Sequence, residues 1–282
     1  MKQPWVTVVI PFRNPGIFLV QACRSLEQQS IKAWQALLVN DGSDDLSLRF
    51  AEERCLADSR FKLLHVNETN HAPGPWMARN LGLTTAQTTL VAFLDADDLW
   101  HPDKLARQLP LHQDAPPLIS VCTYHRFKSG HLQVMETRTP PSALTFTSLL
   151  RGNCIPLSSV VADRKMLVNA GGFRAEHHED YGLWLRLFAS ANPPTYRCLE
   201  EPLMAYRLHS QSISAKRHQS LAAVNQLFRQ HLPSRTARWG ALARWGVERL
   251  RPNASSNKQN SSQNLVVQTK ILPDAYRSLI RD

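Results

Sequence analysis

No apolar run in this 282-residue chain approaches the roughly 18 residues that a bilayer-crossing helix requires. The opening residues, MKQPWVTVVIPFRN, lack a long apolar core and a small-residue cleavage site, and they lead straight into a strand-like run. A cytoplasmic location is the expectation. Cysteines are few: Cys23, Cys55, Cys122, Cys154 and Cys198 are scattered and odd in number, and no C-x-x-C pair suggests zinc. They read as reduced thiols. No G-x-G-x-x-G follows the first apolar run, which argues against a dinucleotide cofactor. No internal repeat is visible.

Positive charge, in contrast, is abundant. The net charge of +10 favours an acidic partner, whether nucleic acid, anionic lipid or a phosphorylated substrate. Its placement narrows the choice. Arg229, Arg235, Arg238, Arg244, Arg249 and Arg251 stand against Glu248 alone, and no nucleic-acid-binding module is present. Nucleic acid is therefore not an expected partner.

The first third of the chain alternates short apolar runs with helical patterns. Residues 6–10, 36–39, 61–66 and 90–94 are rich in β-branched or aromatic residues and read as buried strands. Residues 17–28, 46–56 and 76–85 read as helices between them. This is the βαβ pattern of an α/β protein with a doubly wound, Rossmann-like, mostly parallel sheet, in which ligands bind beyond the carboxyl ends of the strands. The polar turns lie at those ends: Pro11-Phe12-Arg13-Asn14, Asn40-Asp41-Gly42-Ser43-Asp44 and Asp95-Ala96-Asp97-Asp98. Farther on, strands are expected at 116–124, 131–135, 158–161 and 203–208, with a turn at Ser129-Gly130. Helices are expected from Asp163 to about Gly171 and over residues 180–189.

Asp95 and Asp97 follow a buried strand. Two carboxylates there are costly unless a cation neutralises them. Mg2+ or Mn2+ takes few carboxylates together with phosphate oxygens and would stabilise a departing diphosphate. The plainer alternative is that these aspartates cap the next turn, since His101-Pro102-Asp103 resembles a helix start. Asp41 fits a ribose or base contact but equally an Asp-Gly-Ser turn. At residues 179–180, Glu179 or Asp180 could cap the following helix. Asp180 is also suitably placed to act as a base, because a side chain at a helix N-terminus can be held rigidly.

In order along the chain come Val6-Thr7-Val8-Val9-Ile10-Pro11-Phe12-Arg13-Asn14, Leu38-Val39-Asn40-Asp41-Gly42-Ser43-Asp44, Ala78-Arg79-Asn80-Leu81-Gly82 and Phe93-Leu94-Asp95-Ala96-Asp97-Asp98. Gly171-Gly172-Phe173 with Glu179-Asp180-Tyr181-Gly182-Leu183-Trp184-Leu185 follows, then Tyr206-Arg207-Leu208-His209 with Ser212-Ile213-Ser214. Together these resemble glycosyltransferase family 2, over roughly residues 4–215. The resemblance implies the GT-A fold and an inverting, metal-dependent transfer from a nucleotide-diphosphate sugar to a saccharide or lipid-linked saccharide, as in bacterial surface polysaccharide or glycolipid synthesis. It further implies that Pro11, Phe12, Arg13 and Asn14 line the nucleotide, with Asp41 at base or ribose and Arg79 nearby. Arg79 equally fits a surface ion pair. Asp95, Ala96 and Asp97 would meet the donor, with Asp95, Asp97 and His209 toward the metal and Asp180 as base. Asn40 departs from the family's more common aspartate, and Asn70–Trp76 is unusually proline-rich. The rival readings are an inactive sugar-nucleotide-binding relative and a nucleotidyltransferase, although the latter's glycine-rich, lysine-bearing first loop is missing.

This organisation gives a catalytic domain over residues 1–232, divided near residue 115 into a nucleotide-sugar half and an acceptor half. Residues 233–251 form a basic amphipathic helix with Trp239, Leu242, Trp245 and Leu250 on one side. That helix suits either an anionic membrane surface or packing on the protein. Residues 252–264 read as a flexible linker, and 265–282 as a tail.

Overall fold

The computed structural model describes residues 5–44, 46–66, 74–113, 116–128, 133–176, 178–209, 220–250 and 271–280. The Ser129-Gly130 turn, most of the proline-rich stretch 70–76, Ser212-Ile213-Ser214 and the 252–264 linker lie outside the described residues.

The chain begins as expected. Strands β1 (Val6–Phe12), β2 (Trp34–Asn40), β3 (Phe61–His65) and β4 (Leu90–Phe93) alternate with helices α1 (Ile17–Glu27), α2 (Leu46–Ala57) and α3 (Pro75–Thr85). All four strands run parallel, in the spatial order β3-β2-β1-β4. Successive side chains on a strand point to opposite faces. Val8, Ile10 and Phe12 of β1 therefore pack on the α1 side, and Val9 on the α3 side. Helix α3 lies close against β1 because residue 82 is glycine: a Cβ there would meet Val9 Cγ1 at 2.4 Å.

Beyond β4 the sheet changes character. The two-residue strand β5 (Leu99–Trp100) leads to α4 (Lys104–Gln108), and then come β6 (Leu118–Lys128) and β7 (Val134–Arg138). A short helix α5 (Phe146–Leu149), strand β8 (Val161–Asp163), helices α6 (Arg164–Asn169) and α7 (Glu179–Phe188) and strand β9 (Thr195–Leu208) complete the second half. The spatial order continues β4-β8-β6-β9-β5, with β7 on β6. Strand β8 runs antiparallel to both β4 and β6, whereas β6 and β9 are parallel. The result is a mixed sheet, wholly parallel from β3 to β4 and mixed beyond, with helices on both faces.

Three local outcomes differ from the pattern read in the sequence. Residues 157–159 form a 3₁₀ turn, so the strand expected at 158–161 begins only at Val161. The turn starts after Pro156, whose carbonyl accepts from Ser159 Oγ at 2.7 Å. Strand β9 starts at Thr195, well before the expected residue 203, and the ladder with β6 shifts register opposite Thr123, where it meets Pro202. Asp103 precedes α4 but makes no side-chain cap to it, whereas Asp163 caps α6 by accepting from the Met166 amide at 2.9 Å.

Helices α8 (Ser220–His231) and α9 (Arg235–Leu250) close the α7 face of the sheet. Ala241, Leu242 and Trp245 of α9 join Val224, Leu227 and Phe228 of α8 in the main core. Trp239 does not follow them and is 70% exposed. The aromatic side of α9 is thus divided between protein and surroundings. Among the described residues, no helix is long and apolar enough to cross a membrane. Finally, α10 (Asp274–Arg277) brings Leu272, Tyr276 and Leu279 into a separate buried cluster with Leu99, Phe127, Val134 and Ala205. The Tyr276 hydroxyl donates to the Pro202 carbonyl at 3.0 Å.

Candidate active site

The parallel ladder brings the carboxyl ends of β1, β2 and β4 to one edge. There the first two turns bind each other. Asn14, at a left-handed φ of 48°, donates through its side chain to Asp44 Oδ1 at 3.0 Å and accepts from the Asp44 amide at 3.1 Å. Its own amide donates to Ser43 Oγ at 2.9 Å. Asn40 accepts from the Ser43 amide at 2.7 Å, which makes the amide at this position a turn-former. Asp41 is buried, and its amide donates to the Phe12 carbonyl at 2.9 Å. Burial raises the Asp41 carboxyl above its ordinary range, and Arg13 draws it back in part. Pro11 is buried on β1, the Phe12 ring packs into the cluster under α1, and Arg13 is exposed. Of the first expected donor stretch, then, Arg13 faces out beside Asp41, and Asn14 fastens one loop to the next.

At the end of β4, the Asp95 amide donates to Ser158 Oγ at 3.0 Å. The Ser158 carbonyl in turn accepts from Trp100 Nε1 at 2.8 Å. Arg79 approaches Asp95 from α3, donating through Nη2 to Asp95 Oδ1 at 2.6 Å and through Nη1 to Glu179 Oε1. The arginine side chain is only 9% exposed. Burial disfavours its charge, but Asp95 and Glu179 outweigh that and hold the guanidinium firmly protonated. Burial pushes both carboxyls upward while Arg79 pulls them down, and the Asp180 charge is felt at Arg79, Asp95 and Glu179 alike. The ends of β4 and α7 therefore meet in one electrostatic cluster.

Asp97 lies across the same turn, with Ala96 buried between it and Asp95. His209 Nε2 lies 2.7 Å from Asp97 Oδ2, at the end of β9. Arg207, two residues earlier, is almost wholly buried. It donates through Nε to the Asp97 carbonyl at 2.7 Å and through Nη2 to Gln21 Oε1 at 2.7 Å, and its backbone amide reaches Asp98 Oδ1 at 3.1 Å. The guanidinium stacks between Phe18 and Phe127, 4.4 and 4.8 Å from their ring centres. Burial and the neighbouring Asp97 and Asp95 charges push the Asp98 carboxyl well up.

Asp180 opens α7. One of its oxygens, Oδ1, accepts from the Tyr181 amide at 2.7 Å, and Oδ2 accepts from Asn153 Nδ2 at 2.8 Å. Asn153 is itself oriented, because its Oδ1 accepts from the Ile155 amide at 3.2 Å. Each carboxylate oxygen has two lone pairs, so both keep capacity for a further donor.

Several of these partners had no functional reading in the sequence. Arg207 was visible only as a member of the stretch ending in His209, and Glu179 only as a rival cap and as the first residue of the stretch ending in Leu185. Asn153 gave no signal, since a lone polar residue in an irregular loop has no period to mark it, and Ser158 was read only as the start of a strand.

Asp95, Asp97 and His209 do not converge into a three-ligand cage; among the described residues no group of three such side chains does. The donor set nonetheless suits a hard cation that completes its shell with phosphate oxygens and water. Asp97 keeps a third of its side chain exposed, and three carboxyls crowd one turn.

Comparison with known proteins identifies the family and the fold. The model of the family "Glycosyl transferase family 2" matches residues 7–169. An Escherichia coli protein, UDP-Glc:alpha-D-GlcNAc-diphosphoundecaprenol beta-1,3-glucosyltransferase WfgD, is 30% identical over 77% of this chain and 82% of its own length. Among solved structures, S. aureus TarS 1-349 in complex with UDP-GlcNAc superposes with a TM-score of 0.65, at 16% identity, covering 87% of this chain and 72% of that one. The mannosyltransferase PcManGT from Pyrobaculum calidifontis, in complex with GDP-Man and Mn2+, gives a TM-score of 0.58 at 16% identity, covering 93% and 77%. At such identities the structures speak for the fold, which is that of the GT-A transferases.

Proposed function

Since the chain belongs to glycosyl transferase family 2, we propose that it transfers a hexose from a uridine-diphosphate sugar to a hydroxyl of a lipid-linked saccharide. Transfer proceeds with inversion and with Mg2+ or Mn2+, in the assembly of a bacterial surface polysaccharide or glycolipid. The observation that carries this reading is the meeting of Asp95 from the donor side with Glu179 and Asp180 from the acceptor side around one buried arginine. The donor and acceptor classes rest on what the E. coli relative is named for.

In this reading Asp41 and Arg13 meet the nucleoside end of the donor at the mouth of β1 and β2. Asp97, Asp95 and His209 would hold the ion, with the diphosphate supplying its remaining ligands. When bound, the ion contributes positive charge against the leaving diphosphate. Arg207 fixes the Asp97 backbone so that the carboxylate keeps its direction. Asp180, fixed by Asn153 and by its own helix, takes the proton of the acceptor hydroxyl as that oxygen attacks the anomeric carbon. A direct displacement of this kind leaves the product with inverted configuration.

The outer side of α9 belongs to the same proposal. Trp239 and Val247 are exposed, and Arg235 and Arg244 lie on the exposed part of the same helix. An apolar strip with flanking arginines suits an anionic leaflet that carries a lipid-linked acceptor, and this would place the enzyme peripherally on the cytoplasmic membrane face.

The test is transfer by the full chain from uridine-diphosphate hexoses in Mn2+ or in chelator, with the product anomer read by NMR. Asp97→Ala is expected to lose Mn2+-dependent nucleotide binding and to lower turnover by about three orders of magnitude or more. Undiminished activity of this variant in chelator would take the metal out of the mechanism, and retained anomeric configuration would overturn direct displacement.

A further inference from the structure

Three residues of helix α3 fasten it in place, two of them to the second half. Gly82 lets it lie against β1. Asn80 grips the acceptor half: its Nδ2 donates to the Phe173 carbonyl at 2.7 Å and its Oδ1 accepts from the Phe173 amide at 2.9 Å. Just before Asn80, Arg79 extends one arm to Asp95 and the other to Glu179, a residue a hundred positions away in sequence. Its guanidinium carbon lies 5.9 Å from the centre of the Phe173 ring.

Stability alone is a poor reason for this arrangement. Buried ion pairs often do no better than apolar residues of the same shape, because desolvation offsets the attraction. Here the account is worse than usual, since Arg79 Nε is buried without a hydrogen-bond partner among the described residues. The planar fork does one thing that an apolar side chain cannot: it fixes two separate carboxylates at a set distance and angle. One of them belongs to the turn that carries Asp97. The other directly precedes Asp180.

We propose that Arg79 is a positioning residue that makes the placement of Asp180 depend on the occupancy of the donor site. Charge arriving at Asp95 and Asp97 alters the hold of Arg79 on Asp95, and the rigid guanidinium passes that change to Glu179 and so to the first turn of α7. A base set only when donor is present would favour transfer to the acceptor over loss of the sugar to water. This inference rests on the reading of Asp180 as base, but its central measurement does not.

The measurement is hydrogen exchange in the first turns of α7, with and without uridine diphosphate and Mn2+. The Gly182 amide, which donates to the His178 carbonyl at 2.9 Å, reports the start of that helix. In the wild-type chain, nucleotide and metal should slow exchange there about five-fold or more. In Glu179→Gln, calorimetric nucleotide affinity should stay within about three-fold of wild type, the added protection should disappear, and kcat for transfer should fall about ten-fold with donor KM unchanged. Arg79→Lys should lose the protection as well and bind nucleotide more weakly; should it fail to fold, Glu179→Gln alone decides. Equal ligand-induced protection in wild type and Glu179→Gln overturns the proposal. A donor KM that rises in Glu179→Gln as much as kcat falls also overturns it, because Glu179 would then belong to donor binding. If Asp180→Asn retains full transfer while α7 protection still follows the nucleotide, the base assignment fails and the coupling stands.

Discussion

Asp41 and Asp95 stand at the ends of β2 and β4, parallel strands on either side of β1, where the backbone ladder sets their positions to within a residue. Asp180 stands on the first turn of a helix, in a half whose sheet reverses direction at β8 and shifts register at β9. No ladder positions it. Asn153 holds it from a loop, and Glu179 beside it is held by Arg79 from the other half. The first half is thus organised by main-chain periodicity, and the placement of Asp180 in the second by individual side-chain bonds. Evenly spaced hydrogen bonds tolerate change in any one side chain, whereas a carboxylate steered by single contacts depends on each of them.

The sharpest way to separate the halves is Asp180→Asn, which keeps shape and removes the proposed proton acceptor. Transfer should fall by about two to four orders of magnitude while uridine diphosphate with Mn2+ binds nearly as before. A collapse of nucleotide affinity in calorimetry would assign Asp180 to the donor half and break the comparison.

A smaller effect is expected where the halves touch. Their seam is lined with buried polar groups: Lys104 Nζ donates to Gln108 Oε1 at 2.5 Å, and Gln108 Nε2 donates to Ser120 Oγ at 3.1 Å and to the Ser159 carbonyl at 3.0 Å. Burial lowers the Lys104 ammonium to about 8. The unfolded lysine binds its proton from about pH 10.5 downward and the folded one only from about pH 8, so stability falls across that window as pH falls, and the full penalty persists below it. Lys104→Met should therefore be more stable than wild type at pH 7 by about 2 kcal/mol. The gain should shrink above pH 8 in denaturant titrations. An equal gain at pH 7 and pH 9.5 would locate it in packing and leave the seam's charge without consequence.

The smallest effect concerns the exposed side of α9. Trp239→Ser is expected to weaken sedimentation with anionic vesicles about five- to ten-fold while donor hydrolysis is unchanged. Equal sedimentation would dismiss the lipid role of α9. The substitution spares Ala241, Leu242 and Trp245, whose burial makes removal of the whole helix an unsuitable probe.

What could be read beforehand follows the same division. Strands β1 to β4 and helices α1 to α3 showed in the sequence because apolar runs and polar turns alternate at regular spacing. The turns holding Asp41, Asp95 and Asp97 came with them. The expected strand at 158–161 became a turn because Pro156 and Ser158 answer to local hydrogen bonding and to the Asp95 amide, neither of which has a period. Helix α9 was legible as amphipathic, but the partition of Trp239 from Trp245 was not. That partition depends on where α8 lies, and α8 had not been anticipated. Arg79 was expected near the nucleotide or on the surface, and its burial between Asp95 and Glu179 required knowing that positions a hundred residues apart meet.

The apolar pocket that receives Leu272, Tyr276 and Leu279 has a consequence for synthesis. Leu99, Phe127, Val134 and Ala205 emerge from the ribosome long before the residues that cover them. At about 5–20 residues per second, the roughly 60 residues between the end of β9 and α10 take about 3–12 seconds to make. For that interval a nascent chain with its nucleotide edge already formed displays an unfilled apolar patch on the same sheet. A chaperone that binds short apolar segments has its opening there, and slower translation of the intervening stretch would widen it.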